Sequence, residues 1–219
     1  FINESRMSAG TYFPITLKKH MRAQRVANEL RLPCVYVADS GGIFLPLQVG
    51  CFADEGMFGS MFYNMCNMSA RGIKQYTLST GGNIACLAGP PMVTSAIGED
   101  ETHEDLGGAY VHTKHSGGCD HFVRNQEEGI ARLRELISFD PPQNFYTQRR
   151  ESKPPKYDVE EMMKNMPADT YQPIDIKQFI KCLVDDSYFS EYKELYGPGR
   201  GDSVICGKAY IDGIPVGIV

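Results

Sequence analysis

The chain contains no tryptophan, and no run of apolar residues in it approaches the length that spans a bilayer as a helix, so no membrane partner is expected. Positive charge is not in excess either. Lys and Arg together number 22 against 27 Asp and Glu, a formal net charge of −5, so the basic surface that a phosphate backbone demands is missing and no nucleic acid partner is expected. CxxC spacing is absent among the seven cysteines at 34, 51, 66, 86, 119, 182 and 206. Their odd number and their places in apolar runs read as reduced, buried thiols rather than a disulfide framework. There is no G-x-S-x-G turn to present a hydrolase serine and no G-x-x-x-x-G-K-[ST] phosphate loop. Phe1 opens the sequence in mid-pattern with no recognisable leader, so any targeting segment is expected to have been removed or to lie outside these residues.

What is present is a globular composition, 42% hydrophobic and 22% charged, over 219 residues. That length suits one large domain, or one domain with part of another. "TLKKHMRAQRVANELR" (16–31) places Leu17, Met21, Val26, Ala27 and Leu30 near one helical face, with Thr16 as its expected cap and Pro33 beyond its end. "LPCVYVAD" (32–39) then predicts a buried strand running into Ser40-Gly41-Gly42. A second helix is expected over 55–70, where Phe58, Met61, Phe62, Met65 and Met68 form a stripe that reads as core. "KQYTLST" and "NIACLAG" predict two more buried strands, and 127–139 an amphipathic helix carrying Ile130, Leu133, Leu136 and Ile137. Strand alternating with helix predicts an α/β layered fold.

Composition changes over 138–158, where two Pro-Pro pairs and clustered charge predict a linker or surface arm. Beyond it, Asp175 is placed to cap the helix "IKQFIKCLV", "DSYFSEYKELYG" reads as partly helical, and "SVICGKAYIDGIPVGIV" predicts two strands joined at Asp212-Gly213.

Several stretches invite a functional reading and have a plainer one. His112, His115, Cys119 and His121 fall within ten residues, but their spacing matches no common zinc pattern, so no metal is expected. Arg200-Gly201-Asp202 reads as a loop before a strand rather than an adhesion signal. Lys164 in "MMKNMP" lacks the flanking hairpin strands of a biotin-carrying lysine and reads as a surface residue. Four glycine pairs remain, at 41–42, 81–82, 107–108 and 117–118. Any of them could simply make a turn. The pairs at 41–42 and 81–82 differ in following buried strands directly, because ligands in layered α/β folds collect at strand C-termini and bare N–H groups there can hold an oxyanion.

The segments "GTYFPITLKKHMRAQRVANELRLPCVYVADSGG", "FYNMCNMSARGI" and "LAGPPMVTSAIGEDETHEDLGGAYVHTKHSGGCDH" resemble the carboxyltransferase (β) subunits of biotin-dependent acyl-CoA carboxylases. The Tyr-Phe-Pro-Ile-Thr and Lys-Lys-His segments favour the 3-methylcrotonyl-CoA branch. The resemblance covers most of the chain. It implies a crotonase-like fold of stacked ββα units. Residues 1–140 would form the N-terminal carboxyltransferase domain, 141–160 a linker and 161–219 the start of a second, truncated domain. The family carries further chain between Gly82 and Asn83, so the abrupt strand–Gly–Gly–strand join is expected to reflect missing residues, not a tight turn.

The resemblance also implies a reaction. A carboxyl group passes from carboxybiotin, borne on a partner biotin-carboxylase/biotin-carrier (α) subunit that alone uses ATP, to the γ carbon of 3-methylcrotonyl-CoA in leucine degradation. Gly81 and Gly82 would supply the first oxyanion hole, and Ser40, Gly41 and Gly42 would line the CoA channel. Lys18 or Arg22 could meet CoA phosphates, although solvated helix faces carry such charges routinely. The second oxyanion hole belongs to the family's second domain, beyond Val219. The β subunits would assemble as a homo-oligomer, a hexamer, in the mitochondrial matrix of a eukaryote or the cytoplasm of a bacterium. Propionyl-CoA and geranyl-CoA carboxylases, glutaconyl-CoA decarboxylase subunits and a non-catalytic truncated scaffold are the alternatives that this reading leaves.

Overall fold

The computed structural model describes residues 1–80, 85, 89–140, 149–164, 166–169, 171–172, 174–196 and 204–219. Two compact units result, one of residues 1–108 with 125–133 and one of 109–124 with 134–219.

The first unit begins with helix α1, Pro14–Glu29. Its start lies two residues before the expected cap. Proline at the first helical position has its φ already set, so Pro14 opens the helix. Thr16 sits inside the first turn, where its hydroxyl accepts the Phe13 N–H at 3.3 Å. The inward face is formed by Leu17, His20, Gln24 and Ala27, whereas Leu30 lies beyond the helix end and is exposed. Strand β1, Cys34–Ala38, follows, and helix α2, Phe58–Ala70, leads to strand β2, Gln75–Ser79. The strands pair in parallel from Cys34↔Gln75 to Ala38↔Ser79, as a strand–helix–strand crossover requires. Ile2 forms a further parallel bridge to Val37, on β1.

Two apolar clusters form the core of this unit, one joining the helices to the sheet and one joining α1 to α2. Ala27, Cys34, Tyr36, Met68 and Ile73 form one, with Phe1 and Met65 against it. Leu17, Cys51 and Met61 form the other, flanked by Tyr12, Met21, Ile43, Met57 and Phe58. The methionine stripe of α2 is therefore core, except at Phe62, which is exposed. Gln24 is completely buried, yet its amide is satisfied: Nε2 donates to the Met61 carbonyl and Oε1 accepts from Asn64, each at 3.2 Å.

Helices α3, Pro90–Ile97, and α4, His103–Gly107, come next, followed by a single π turn at Val111–His115 and then α5, Gln126–Ser138. The strand expected over "NIACLAG" falls, apart from Ala85 and Gly89, outside the described residues; Ala85 belongs to no element and Gly89 caps α3. The first turns of α3 and α4 carry signals the sequence reading passed over: Pro90 and Pro91 at the start of one, and Thr102 accepting the Asp105 N–H at 3.1 Å in the other.

The second unit holds α6, Val159–Lys164, α7, Ile176–Leu183, and an antiparallel sheet of β3, Phe189–Glu191, β4, Gly207–Ile211, and β5, Ile214–Ile218. Ile180, Val184 and Ala209 form its buried cluster. β3 corrects the partly helical reading of "DSYFSEYKELYG". Ser190 turns inward while Phe189 and Glu191 lie half-buried, a period-two pattern that pairs with β4, and edge pairing overrides local helix propensity. The β4–β5 turn is the expected one, with Asp212 and Gly213 both at positive φ, and the Asp185 carboxylate accepts both their N–H groups at 2.8 Å.

Asp175 caps α7 through the Lys177 N–H at 3.0 Å. Asp175→Ala is expected to lower unfolding stability by about 1 kcal/mol. Urea unfolding followed by circular dichroism measures this, and an unchanged midpoint would show that the cap contributes nothing.

Candidate active site

Because β1 and β2 are parallel and in register, both release the chain at the same edge of the sheet. Thr80, the residue before the Gly81–Gly82 pair, donates its N–H to the Ala38 carbonyl at 2.9 Å. Ser40 leaves β1 at that same edge. Gly81 and Gly82 themselves lie outside the described residues, as does the Arg200-Gly201-Asp202 stretch.

Ser40, Gly41 and Gly42 are held by a turn that the sequence reading did not single out. Ser8, Ala9 and Gly10 are consecutive left-handed residues with φ of 48°, 51° and 66°. For Ser8 and Ala9 such a conformation costs roughly 1–2 kcal/mol each, so surrounding bonds must hold it. The Gly41 N–H donates to the Ala9 carbonyl at 2.8 Å, the Ser40 hydroxyl to the Gly10 carbonyl at 2.8 Å, and the Asn3 amide to the same Gly10 oxygen at 3.2 Å. Thr11 and Gly10 close the turn on the Ser8 and Met7 carbonyls. A Cβ on Gly10 would run into the Asp39 carbonyl, so the close approach admits only glycine. The only sequence signal for this turn is Gly10 itself, since Ser8 and Ala9 have no preference for positive φ.

Gly42 is also left-handed, at φ 90°, and its N–H donates to the Ser40 hydroxyl at 3.2 Å. The N–H groups of Gly41 and Gly42 are therefore engaged within the loop. They are suited to shaping a wall, not to holding an oxyanion. Both glycines are exposed, and the space where a Gly42 Cβ would stand is open.

Behind the loop, Tyr12 makes a parallel bridge to Ile43, with its N–H on the Gly42 carbonyl at 2.7 Å. Its hydroxyl meets His20 Nδ1 at 3.3 Å. His20 is 7% exposed and clusters with the rings of Phe1 and Tyr36, at 4.4 and 5.6 Å. Burial depresses its pKa to about 4, so it is a neutral imidazole at pH 7, and its Nε2 has no partner among the described residues. Burial likewise pushes the Tyr36 phenol up to about 12 and raises the Tyr12 phenol and the Cys34 thiol.

The remaining sequence candidates are dispersed. His112 pairs with Ser116 at 2.8 Å and His115 stands edge-on to Tyr110, and among the described residues no three His, Cys, Asp or Glu side chains gather as metal ligands do. Lys164 closes the short helix α6 instead of standing at a hairpin tip. Lys18 and Arg22 are exposed along α1. The described cysteines are all free thiols, and no described helix is long and apolar enough to cross a membrane.

Comparison with known proteins fits this arrangement. The chain is 40% identical over 242 aligned positions to the methylcrotonoyl-CoA carboxylase beta chain, mitochondrial, of Dictyostelium discoideum, covering 99% of this chain and 40% of that protein. It is 37% identical to the biotin-dependent 3-methylcrotonyl-coenzyme A carboxylase beta1 subunit of Mycobacterium tuberculosis, covering 99% and 44% respectively. The chain thus spans less than half the length of these curated relatives. Among solved structures, a transcarboxylase 12S core, described as a hexamer with hydrolysed methylmalonyl-coenzyme A bound, superposes with a TM-score of 0.78 at 22% identity over 98% of this chain and 45% of that one. At that identity the likeness speaks for the fold, which is the expected crotonase-like one. The carboxyl transferase domain model matches in two parts, residues 1–86 and 82–219, which together take in the whole chain, and the chain therefore belongs to the carboxyl transferase domain family.

Proposed function

We propose that this chain is part of the carboxyltransferase (β) subunit of a biotin-dependent acyl-CoA carboxylase and acts on 3-methylcrotonyl-CoA. The observation that carries the reading is the common edge at which β1 and β2 end, with Ser40–Gly42 on one side and Thr80, leading into Gly81–Gly82, on the other. The identity to two 3-methylcrotonyl-CoA carboxylase β chains supports the substrate.

Removing a proton from the γ carbon of the thioester leaves a dienolate whose charge sits largely on the thioester oxygen. Two backbone N–H groups aimed at that oxygen meet the charge without a titrating side chain, and glycine alone lets backbone come so close. Gly81 and Gly82 take that role here, while Ser40, Gly41 and Gly42 shape the wall along the CoA arm. Biotin, brought by the α subunit, supplies the carboxyl group and a basic ring nitrogen. Lys164, at the end of a helix, does not suit its covalent attachment to this chain. The two-part family match, which meets at 82–86, supports the reading that the relatives carry additional chain there. We infer the same homo-oligomeric assembly for the complete β subunit, and a mitochondrial setting in a eukaryote, as the name of the Dictyostelium relative states for that protein.

The test is steady-state carboxylation by the complete β subunit assembled with its α subunit, given 3-methylcrotonyl-, propionyl- and geranyl-CoA in turn, with release of CO2 from glutaconyl-CoA followed separately. The highest kcat/KM is expected for 3-methylcrotonyl-CoA. Preference for another thioester would reassign the substrate, and no turnover of any would leave a scaffold role.

A further inference from the structure

We propose that Asn3 is a positioning residue for acyl-CoA, acting through the left-handed turn Ser8–Gly10 on Ser40, Gly41 and Gly42; the inference rests on the acyl-CoA reading above. The polar contacts form one continuous path. The Asn3 N–H is held by the Val37 carbonyl at 3.3 Å, and the Asn3 Nδ2 donates to the Gly10 carbonyl at 3.2 Å. The Ser40 hydroxyl donates to that carbonyl and accepts the Gly42 N–H. The path therefore runs from the sheet edge to the exposed glycine rim.

Its geometry favours a positioning role over simple packing. Ser8 and Ala9 hold a conformation that their side chains disfavour, at the point where their turn touches Gly41. Strain of that kind persists only where neighbours over-determine it, and the Gly10 carbonyl is doubly bonded, by Asn3 and by Ser40. Asn3 is itself fixed by the sheet, since its N–H donates to the Val37 carbonyl on β1 at 3.3 Å. The short sheet edge thus sets Asn3, Asn3 sets the turn, and the turn sets the loop. Tyr12 locks the other end of the loop through its bridge to Ile43.

The experiment compares Asn3→Ala and Asn3→Asp with wild type in the complete carboxylase, reading KM and kcat for 3-methylcrotonyl-CoA separately. Asn3→Ala is expected to raise KM about fivefold, as loss of one hydrogen bond does, with kcat within about twofold. Asn3→Asp keeps the size of the side chain but replaces the amide donor that the Gly10 carbonyl accepts, and is expected to raise KM at least as far. A purely structural role would lower thermal stability and leave KM unmoved. KM at the wild-type value in both variants overturns the inference while the acyl-CoA reading stands. Absence of acyl-CoA turnover in wild type overturns both. Should Asn3→Ala fail to assemble, Asn3→Asp decides alone.

Discussion

Gly82→Val in the complete β subunit is expected to abolish carboxylation while the native assembly survives. The pair at 81–82 follows a strand whose register with β1 is fixed over five residue pairs, so the approach to the site does not depend on the residue at 82. Valine adds a β-branched side chain where a thioester oxygen must come within hydrogen-bond distance of backbone, and it resists any positive φ the position uses. Losing a single oxyanion donor costs roughly 10²- to 10³-fold in kcat, about 3–4 kcal/mol of barrier. The loss should appear mainly in kcat, because full negative charge on the oxygen develops only as the dienolate forms. Carboxylation assays paired with size-exclusion chromatography measure both halves of the expectation. Turnover within threefold of wild type, in a correctly assembled variant, would make Gly81 and Gly82 ordinary turn residues.

The sequence made β1, α2, β2, α5, α7 and the Asp212–Gly213 hairpin legible, because each carries its own period and its own stop signal. α2 is the clearest instance: Met61, Met65 and Met68 recur at helical spacing and pack inward as that spacing implies, Met65 and Met68 with β1 and Met61 with α1. Where local signals and tertiary demand conflict, legibility ends. "DSYFSEYKELYG" has helix-favouring residues, but β4 needs a partner, and Phe189–Glu191 supplies it. α3 and α4 are short and have little apolar periodicity, so only their capping residues announce them.

The candidate site divides in the same way. Ser40–Gly42 stood out because two glycines after a buried strand are unusual enough to prompt a question about function. The turn that holds them did not, because left-handed Ser8 and Ala9 are imposed by bonds to residues thirty or more positions away in sequence. His20 and Gln24 were hidden for a related reason. Reading α1 for apolar residues selects Leu17, Met21, Val26, Ala27 and Leu30. The face that is buried runs 17, 20, 24, 27, the same period with two polar residues in it. A polar residue on the inward face needs a partner. Gln24 has its partners in Met61 and Asn64, whereas His20 has Tyr12 on one nitrogen alone.

That buried imidazole gives the protein an acid sensitivity in its stability. His20 titrates near 4 in the folded chain against 6.5 for an unconstrained imidazole, because burial disfavours the cation. Between those values the unfolded chain takes up a proton that the folded chain refuses, so stability rises with pH across the interval and falls on acidification through it. On reaching pH 4.5 the loss is expected to be about 2–3 kcal/mol, and below about pH 4 this contribution levels off as the folded form protonates too. The Tyr12 and Tyr36 phenols and the Cys34 thiol beside the ring are raised by burial and stay neutral throughout, while the positive charge at the Phe1 N-terminus disfavours the imidazolium further. His20→Phe preserves an aromatic ring beside Phe1 and Tyr36 while removing the titrating nitrogens. Urea unfolding at pH 7.0 and 4.5 should show a pH dependence in wild type that is smaller by 2–3 kcal/mol in the variant, roughly the linkage of one histidine. Equal pH dependence in the two proteins, or a His20 pKa near 6.5 by NMR titration, would place the ring in a solvated setting and contradict the buried one seen here.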